Sequence, residues 1–515
     1  MSLDSGLESG LESGLDAGGN RRGPSMTAEP TTHDTGPGEH TVLLPRISTD
    51  PLDDLVDRVR PMLGKAVDSL HVAAALEADG LTDRGARVEY GYHDVFALAT
   101  EVFRRLGPRL PMPRDAAARD GRSYRESLRL ISHGPLYVLP CTAFPAVLAI
   151  VGRRSLVLGL VFAGVLGWVY AGVASHAAYR MLGFGRPRAA GRILIVATLT
   201  VPVVGAVTGA GLVRLTGGGI ALVAMITCQV AYQLTSTVMV FYRRELWLAL
   251  VMTPAFLIGA AYLILGSGLR PWSAAVAAGC VLAAFLLAVV IAVRRDRAAA
   301  TAEPPLRAAL RPEVPALFRV GAYGLCSAVL LLHAEAPYLL GRLDVAIAAA
   351  PLILTMGVIE WRAERFRPQA VALVRRVERP RVFVRGVWRL LARETAVCLL
   401  APAVPAAAML AGLYYLGLVS AAGIVMTAAH VALGGAYLLA FLLAGRDRYG
   451  WLCWSMVAAI LVHVGGGALL GAAPLLGMSG SALVDTSLYL GSVLLLQALF
   501  VLGLVPILGQ AVHYR

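Results

Sequence analysis

Ionisable side chains inside long apolar runs are costly to bury, and this chain keeps a few of them. His333 and Glu335 stand in the run Leu330-Leu331-Leu332-His333-Ala334-Glu335-Ala336-Pro337. An imidazole and a carboxylate so placed have the chemistry to take up a proton or cation on a transport path. The other reading puts Glu335 at a membrane interface, paired with Arg342 or Arg270. Gln229 and Gln233 lie four residues apart and share a helical face, with Thr235 and Ser236 beside them. They offer either substrate contacts or hydrogen bonds between helices. His430 and His463 are isolated among apolar residues and read as satisfied core histidines. Asp485, with Thr486 and Ser487, reads as a cap on the last apolar run. Near the N-terminus, His71, His93 and Asp94 read as capping or surface residues.

Several chemistries lack their machinery. There is no Walker A loop, no HExxH pair and no DxD pair in a soluble segment, so ATP hydrolysis, zinc proteolysis and glycosyl transfer are not indicated. The six cysteines (Cys141, Cys228, Cys280, Cys326, Cys398, Cys453) are far apart in sequence and form no CxxC or CxxH motif, and read as packing residues. The expectation is a non-enzyme with no metal and no cofactor.

The elements that must position these residues follow from composition. The chain has 515 residues, 57% hydrophobic and 15% charged, with a mean hydropathy of +0.67. Soluble domains carry about 25% charged residues. After residue 134, apolar runs long enough to cross a bilayer as helices follow one another. The predicted spans are 135–151, 155–174, 193–213, 218–241, 246–266, 273–293, 316–338, 343–360, 395–416, 421–443, 452–471 and 485–509. The net charge of +13 would suit nucleic acid, but the arginines flank the spans, so no nucleic-acid partner is expected. Alternate loops hold most of them, including Arg243, Arg244, Arg362 and Arg365. By the positive-inside rule both termini are cytoplasmic, in an inner or plasma membrane, which requires an even number of spans. These arginines either attract anionic cargo or set topology alone.

The expected fold class is an all-α polytopic membrane protein of about twelve transmembrane helices in two six-helix bundles, 131–293 and 316–515, joined by a cytoplasmic linker 294–315. Residues 1–48 read as a disordered low-complexity tail, with no secretory signal and Met26 as an alternative start. Residues 49–130 read as a small cytoplasmic helical region and linker, with Val56, Val59, Leu63, Val67 and Leu70 on one helical face and 122–129 as an interfacial amphipathic helix. Pro135, Pro140 and Pro145 interrupt the first span and make it a candidate bending, gating helix. A faint echo between Phe241-Tyr242-Arg243-Arg244-Glu245-Leu246-Trp247 and the segment from Phe441 to Trp451 suggests internal duplication.

The order of features resembles the PelG-type members of the multidrug/oligosaccharidyl-lipid/polysaccharide flippase superfamily over about residues 130–515. The segments that carry the likeness are His133-Gly134-Pro135-Leu136-Tyr137, Val240-Phe241-Tyr242-Arg243-Arg244 with Ala255-Phe256-Leu257-Ile258-Gly259, Gly321-Ala322-Tyr323-Gly324, and Ala350-Pro351 with Glu360-Trp361-Arg362-Ala363-Glu364-Arg365-Phe366. The acidic–basic pair of that family's seventh helix is matched only loosely, by His333 and Glu335. The resemblance implies two bundles around a central cavity, alternating access, and a polysaccharide or lipid-linked sugar as cargo. The alternative is a non-transporting membrane scaffold that holds a polysaccharide synthase.

Overall fold

The computed structural model describes residues 50–63, 68–106, 126–298, 303, 305–376, 380–471 and 481–510. The chain divides into two units, a smaller N-terminal one and a larger one that holds the long apolar helices.

The smaller unit packs four helices, α1 (Pro51–Leu63), α2 (Ser69–Ala78), α3 (Asp83–Tyr90) and α4 (Val95–Leu106). Asp68 caps α2 by accepting the His71 amide, Thr82 caps α3 by accepting that of Gly85, and Asp94 accepts the Ala97 amide at the start of α4. Leu52, Leu55, Val56, Val59, Val72, Leu76, Leu98 and Val102 form its core. Leu70 points outward, because α2 restarts after Asp68 and the helical phase of α1 is lost. Leu63 and Val67 fall outside the side chains described. Arg105 fastens α4 to the start of α1, meeting Asp50 at 2.5 Å, Asp53 at 2.9 Å and Glu101 at 2.9 Å.

The larger unit holds twelve helices long and apolar enough to cross a bilayer among the described residues. They are span 1 (Glu126–Val151), span 2 (Arg153–Gly183), span 3 (Pro187–Thr216), span 4 (Gly219–Phe241), span 5 (Glu245–Leu265) and span 6 (Arg270–Asp296), then span 7 (Leu306–Glu335), span 8 (Leu343–Val374), span 9 (Arg381–Tyr415), span 10 (Ala421–Ala444), span 11 (Tyr449–Leu469) and span 12 (Ala482–Leu508). The face on which span 1 begins is called the near face, the opposite one the far face. Every predicted span has its counterpart. Spans 2 and 3 run past their apolar stretches through Arg180 and Arg188, since a helix leaving hydrocarbon keeps its backbone bonds. Helix also takes up most of 294–315: the span 6 helix extends to Ala298 and the next begins at Leu306. Glu303 between them accepts the amides of Arg188 and Ala189, placing a carboxylate on the N-terminus of span 3.

Of residues 122–129, expected as an interfacial amphipathic helix, 122–125 lie outside the described residues and 126–129 begin span 1. Residues 126–131 are helical, and after a turn at Ser132 the chain continues through His133–Val138, a 3-10 segment Leu139–Ala143, and Phe144–Val151. Pro140 and Pro145 each open one of the later pieces, where a missing amide costs least.

Two large apolar cores divide the spans, one built from spans 1–6 with Ala309 of span 7, the other from residues 320–508 in spans 7–12. A small cluster of Val157 and Val161 of span 2 with Ala336 joins the halves. The halves meet chiefly along two helix pairs. Spans 2 and 7 pack through Gly164 against Leu332 and through Gly321 and Gly324 against Val169, with Arg180 pairing Glu313 at 3.0 Å on the near face. Spans 1 and 8 cross more closely. A Cβ added at Gly134 would stand 2.0 Å from the Leu354 carbonyl oxygen, and one at Gly357 would stand 2.1 Å from that of Leu130.

The sequence echo has a backbone counterpart. Arg243 and Asp447 both adopt left-handed conformations, with φ of 56° and 58°, and the next residue in each case bonds back to the carbonyl five positions earlier, Arg244 to Met239 and Arg448 to Leu443. The same helix-ending turn thus joins span 4 to 5 and span 10 to 11. Cys326 and Cys453, distant in sequence, bring their thiols together between spans 7 and 11.

Two outcomes are expected. Hydrogen bonds from Arg104 and Arg105 hold the Glu101 carboxyl down at about 2 instead of 4.5. A lowered carboxylate contributes stability above its unfolded value and loses it as pH falls towards the folded one. Hydrogen exchange in α1, scaled for the intrinsic pH dependence of exchange, should therefore quicken between about pH 4.5 and 2, and Arg105→Gln should flatten that dependence. Separately, Gly134→Ala should lower the thermal midpoint of the full chain in detergent, overpacking costing about 1–3 kcal/mol. Gly172→Ala, with open space around it, should not.

Candidate functional site

Spans 7, 10, 11 and 12 bring most of the second bundle's intramembrane ionisable groups into one buried network. Glu335 ends span 7 and is 8% exposed, with His430 of span 10 at 1%. The His430 Nε2 lies 3.4 Å from Glu335 Oε1, while its Nδ1 is 2.9 Å from the Met426 carbonyl oxygen. A carbonyl can only accept, so Nδ1 carries hydrogen. Neither Nε2 nor Glu335 Oε1 makes a hydrogen bond among the described residues, so the state of the pair rests on whether one of them takes up a proton. The Ala349 amide also approaches Glu335.

Tyr489 of span 12 is fully buried, its ring 5.6 Å from His430 and 5.3 Å from His463 of span 11. Its hydroxyl has no hydrogen-bond partner among the described residues, an expensive state in a protein interior. His463 Nε2 lies 3.5 Å from Asp485 Oδ1, and the other Asp485 oxygen accepts the Tyr338 hydroxyl at 2.7 Å. His333 packs edge-on against His463 at 5.7 Å. The assembly can bind, share and pass protons. Three imidazoles, two carboxylates and two phenols supply titratable sites in a space walled by apolar helices.

Several sequence-based readings change. Glu335 meets the imidazole of His430, which favours the reading of a buried polar cluster over the alternative of pairing with Arg342 or Arg270. Asp485 lies a turn inside span 12, whose N-cap is Ser481, and its carboxylate serves Tyr338 and His463. His430 and His463 are not isolated. Gln233 of span 4 packs on Gly167 of span 2 in the first bundle, and half-buried Gln229 shares its helix, so neither joins this network. Pro135, Pro140 and Pro145 stay in span 1. Arg362 bonds the buried Glu394 and lies over the Trp361 ring at 5.2 Å, with Arg365 over the same ring at 5.1 Å. Exposed Arg243 and Arg244 form the span 4–5 turn.

A second set of ionisable groups is not apparent from the sequence: buried His133 of span 1 and Glu245 of span 5, with half-buried Arg129 of span 1 and Glu360 of span 8. Each sits near the edge of an apolar run, where charge is ordinary. The available signal is that His133 and Glu360 both stand beside the small residues that let spans 1 and 8 touch.

No family model matches the sequence, and no curated protein does. Two solved structures are similar in outline. One is an inward-facing conformation of a multidrug resistance MATE family transporter of the MOP superfamily. It is 14% identical, with 73% of this chain and 97% of that one covered and a TM-score of 0.44. The other is a MOP superfamily transporter from Pyrococcus furiosus Vc1 (DSM3638), described as having a binding pocket of reverse polarity. It is also 14% identical, with 74% and 93% covered and a TM-score of 0.48.

If Tyr338 and Asp485 act as one unit, their substitutions will not add. Tyr338→Phe and Asp485→Asn should each destabilise the protein by about 1–3 kcal/mol, as loss of a buried charged hydrogen bond does. The double variant should cost clearly less than their sum in thermal unfolding, and strict additivity would separate the two residues.

Proposed function

We propose that this chain is a multi-pass membrane transporter whose two six-span bundles move against one another, carrying a cell-envelope polysaccharide or lipid-linked sugar precursor outward. The near face, which gathers most loop arginines, is cytoplasmic in this reading, and the membrane is the inner or plasma membrane. The observation that carries the proposal is the division of most of the apolar core into two large clusters, with the halves meeting along spans 2 and 7, through a small shared cluster, and along spans 1 and 8. Helices of one rigid scaffold need no such division. Two bundles with separate cores can rock without unpacking either.

The Glu335–His430 pair supplies the coupling step. Movement of a proton onto or off the pair changes its charge inside one bundle, and a bundle alternates only if such a change favours one of its states. Tyr489 and His463 extend the path towards Asp485 and Tyr338 across gaps that one water or a side-chain rotation spans. The cytoplasmic arginines serve topology first: Arg362 and Arg365 are engaged with Glu394 and Trp361. A membrane-embedded transferase would need its acid or histidine facing lipid headgroups, whereas Glu335, His430 and His463 lie inside the helix cluster.

A second reading, a scaffold for a cytoplasmic or membrane synthase, draws support from the independent core of residues 50–106. One experiment divides them. A deletion strain carries wild type, Glu335→Gln, or a chain shortened to begin near residue 126, and polysaccharide is measured at the surface and held inside. Glu335→Gln should lower surface material several-fold and raise internal material. Disassembly of the synthase complex on truncation, with no such build-up, would favour the scaffold, and unchanged levels everywhere would overturn the polysaccharide reading.

A further inference from the structure

Where spans 1 and 8 cross, charge gathers inside the protein. His133 is 4% exposed and Glu245 5%. His133 Nδ1 lies 3.0 Å from Glu360 Oε2 of span 8, in the second bundle, and its Nε2 lies 3.6 Å from Glu245 Oε1 of span 5, in the first. Arg129 Nε approaches the same Glu245 oxygen at 3.3 Å. Close by along the helices, the Trp361 indole donates to the Ser127 hydroxyl at 2.8 Å across the same crossing.

The two ring nitrogens of His133 thus each face a carboxylate. A neutral imidazole has one N–H and one lone pair, so it can satisfy only one of them and turns its lone pair on the other. The imidazolium donates to Glu360 and turns its second N–H, with its charge, towards Glu245 at ion-pair distance. Among the four groups in contact, Glu245 and Glu360 carry two negative charges and Arg129 one positive, so a protonated His133 brings these four to neutrality. An unbalanced buried charge is costly, so the proton on His133 and the closed crossing support each other. The other titratable groups around His133 are Glu364 of span 8, Tyr179 of span 2 and Tyr137 of span 1, each near enough to sense these charges.

We propose that His133 is a proton-binding latch between the bundles: protonated, it clasps Glu360 and Glu245 together, and release of its proton to water lets the near-face crossing of spans 1 and 8 part. The site is separate from the Glu335–His430 network, which lies within one bundle, whereas this one joins two. The inference rests on the reading that the bundles move, and its test needs no cargo, so failure of the latch and failure of the transport proposal are distinguishable.

The test is hydrogen–deuterium exchange on the full-length protein in lipid nanodiscs at about pH 5.5 and about pH 8.5, bracketing the ordinary histidine range. Labelling times are scaled for the intrinsic pH dependence of exchange. Peptides covering 126–138 and 353–364 should be protected at the lower pH and exchange about tenfold faster at the higher, as loss of one charge-assisted hydrogen bond implies. His133→Gln and Glu360→Gln should exchange fast at both. Equal scaled exchange in the wild type at the two pH values overturns the latch, whether or not the variants fold. So does a wild-type pH response that persists in His133→Gln, because another group would then carry it.

Discussion

Two helices bring their backbones together only where side chains are missing, and the crossing of spans 1 and 8 depends on that constraint. Gly134 meets the Leu354 carbonyl and Gly357 meets that of Leu130, so either glycine with a side chain would wedge the bundles apart. This contact sets the distance at which His133 can face Glu360, and it brings Trp361 within reach of Ser127. The interruptions of span 1 serve the same geometry. A straight helix would leave the crossing at a fixed angle, whereas the 3-10 segment Leu139–Ala143 lets the later half turn back onto spans 5 and 6 of its own bundle.

Much of the architecture is legible in the sequence because lipid imposes a strong and simple code. A span must be apolar over some twenty residues and must satisfy its backbone internally, which is why each predicted run has a helix. What the code does not carry is the identity of neighbours. Glu335, His430, His463 and Asp485 lie on four spans, and no periodicity says that those spans are adjacent. Each residue alone fits an interface, core or capping role. The network exists only once the helices are packed. His133, Glu245 and Glu360 are harder still to find, since a charge at the margin of an apolar run is the ordinary mark of a membrane surface.

The N-terminal unit misleads in a different way. Its apolar pattern continues in sequence from Val56 to Leu70, but Asp68 caps a new helix and resets the phase. A capping residue in mid-pattern outweighs the periodicity on either side of it, because it ends one set of backbone bonds and begins another. The caps at Thr82 and Asp94 follow the same rule and account for four short helices within so few residues.

The two buried ionisable groups differ in what their protons can do. In the proposed transport cycle, a proton on Glu335 or His430 would alter charge while spans 7 and 10 stay packed on a shared core, so its effect would be on what the bundle accepts. At the crossing, the His133 proton decides whether a contact between bundles persists at all. A transporter needs both kinds of event, one that senses occupancy and one that changes access, and it needs them to be separable in space so that each can be set in turn. The division of the apolar core supplies that separation.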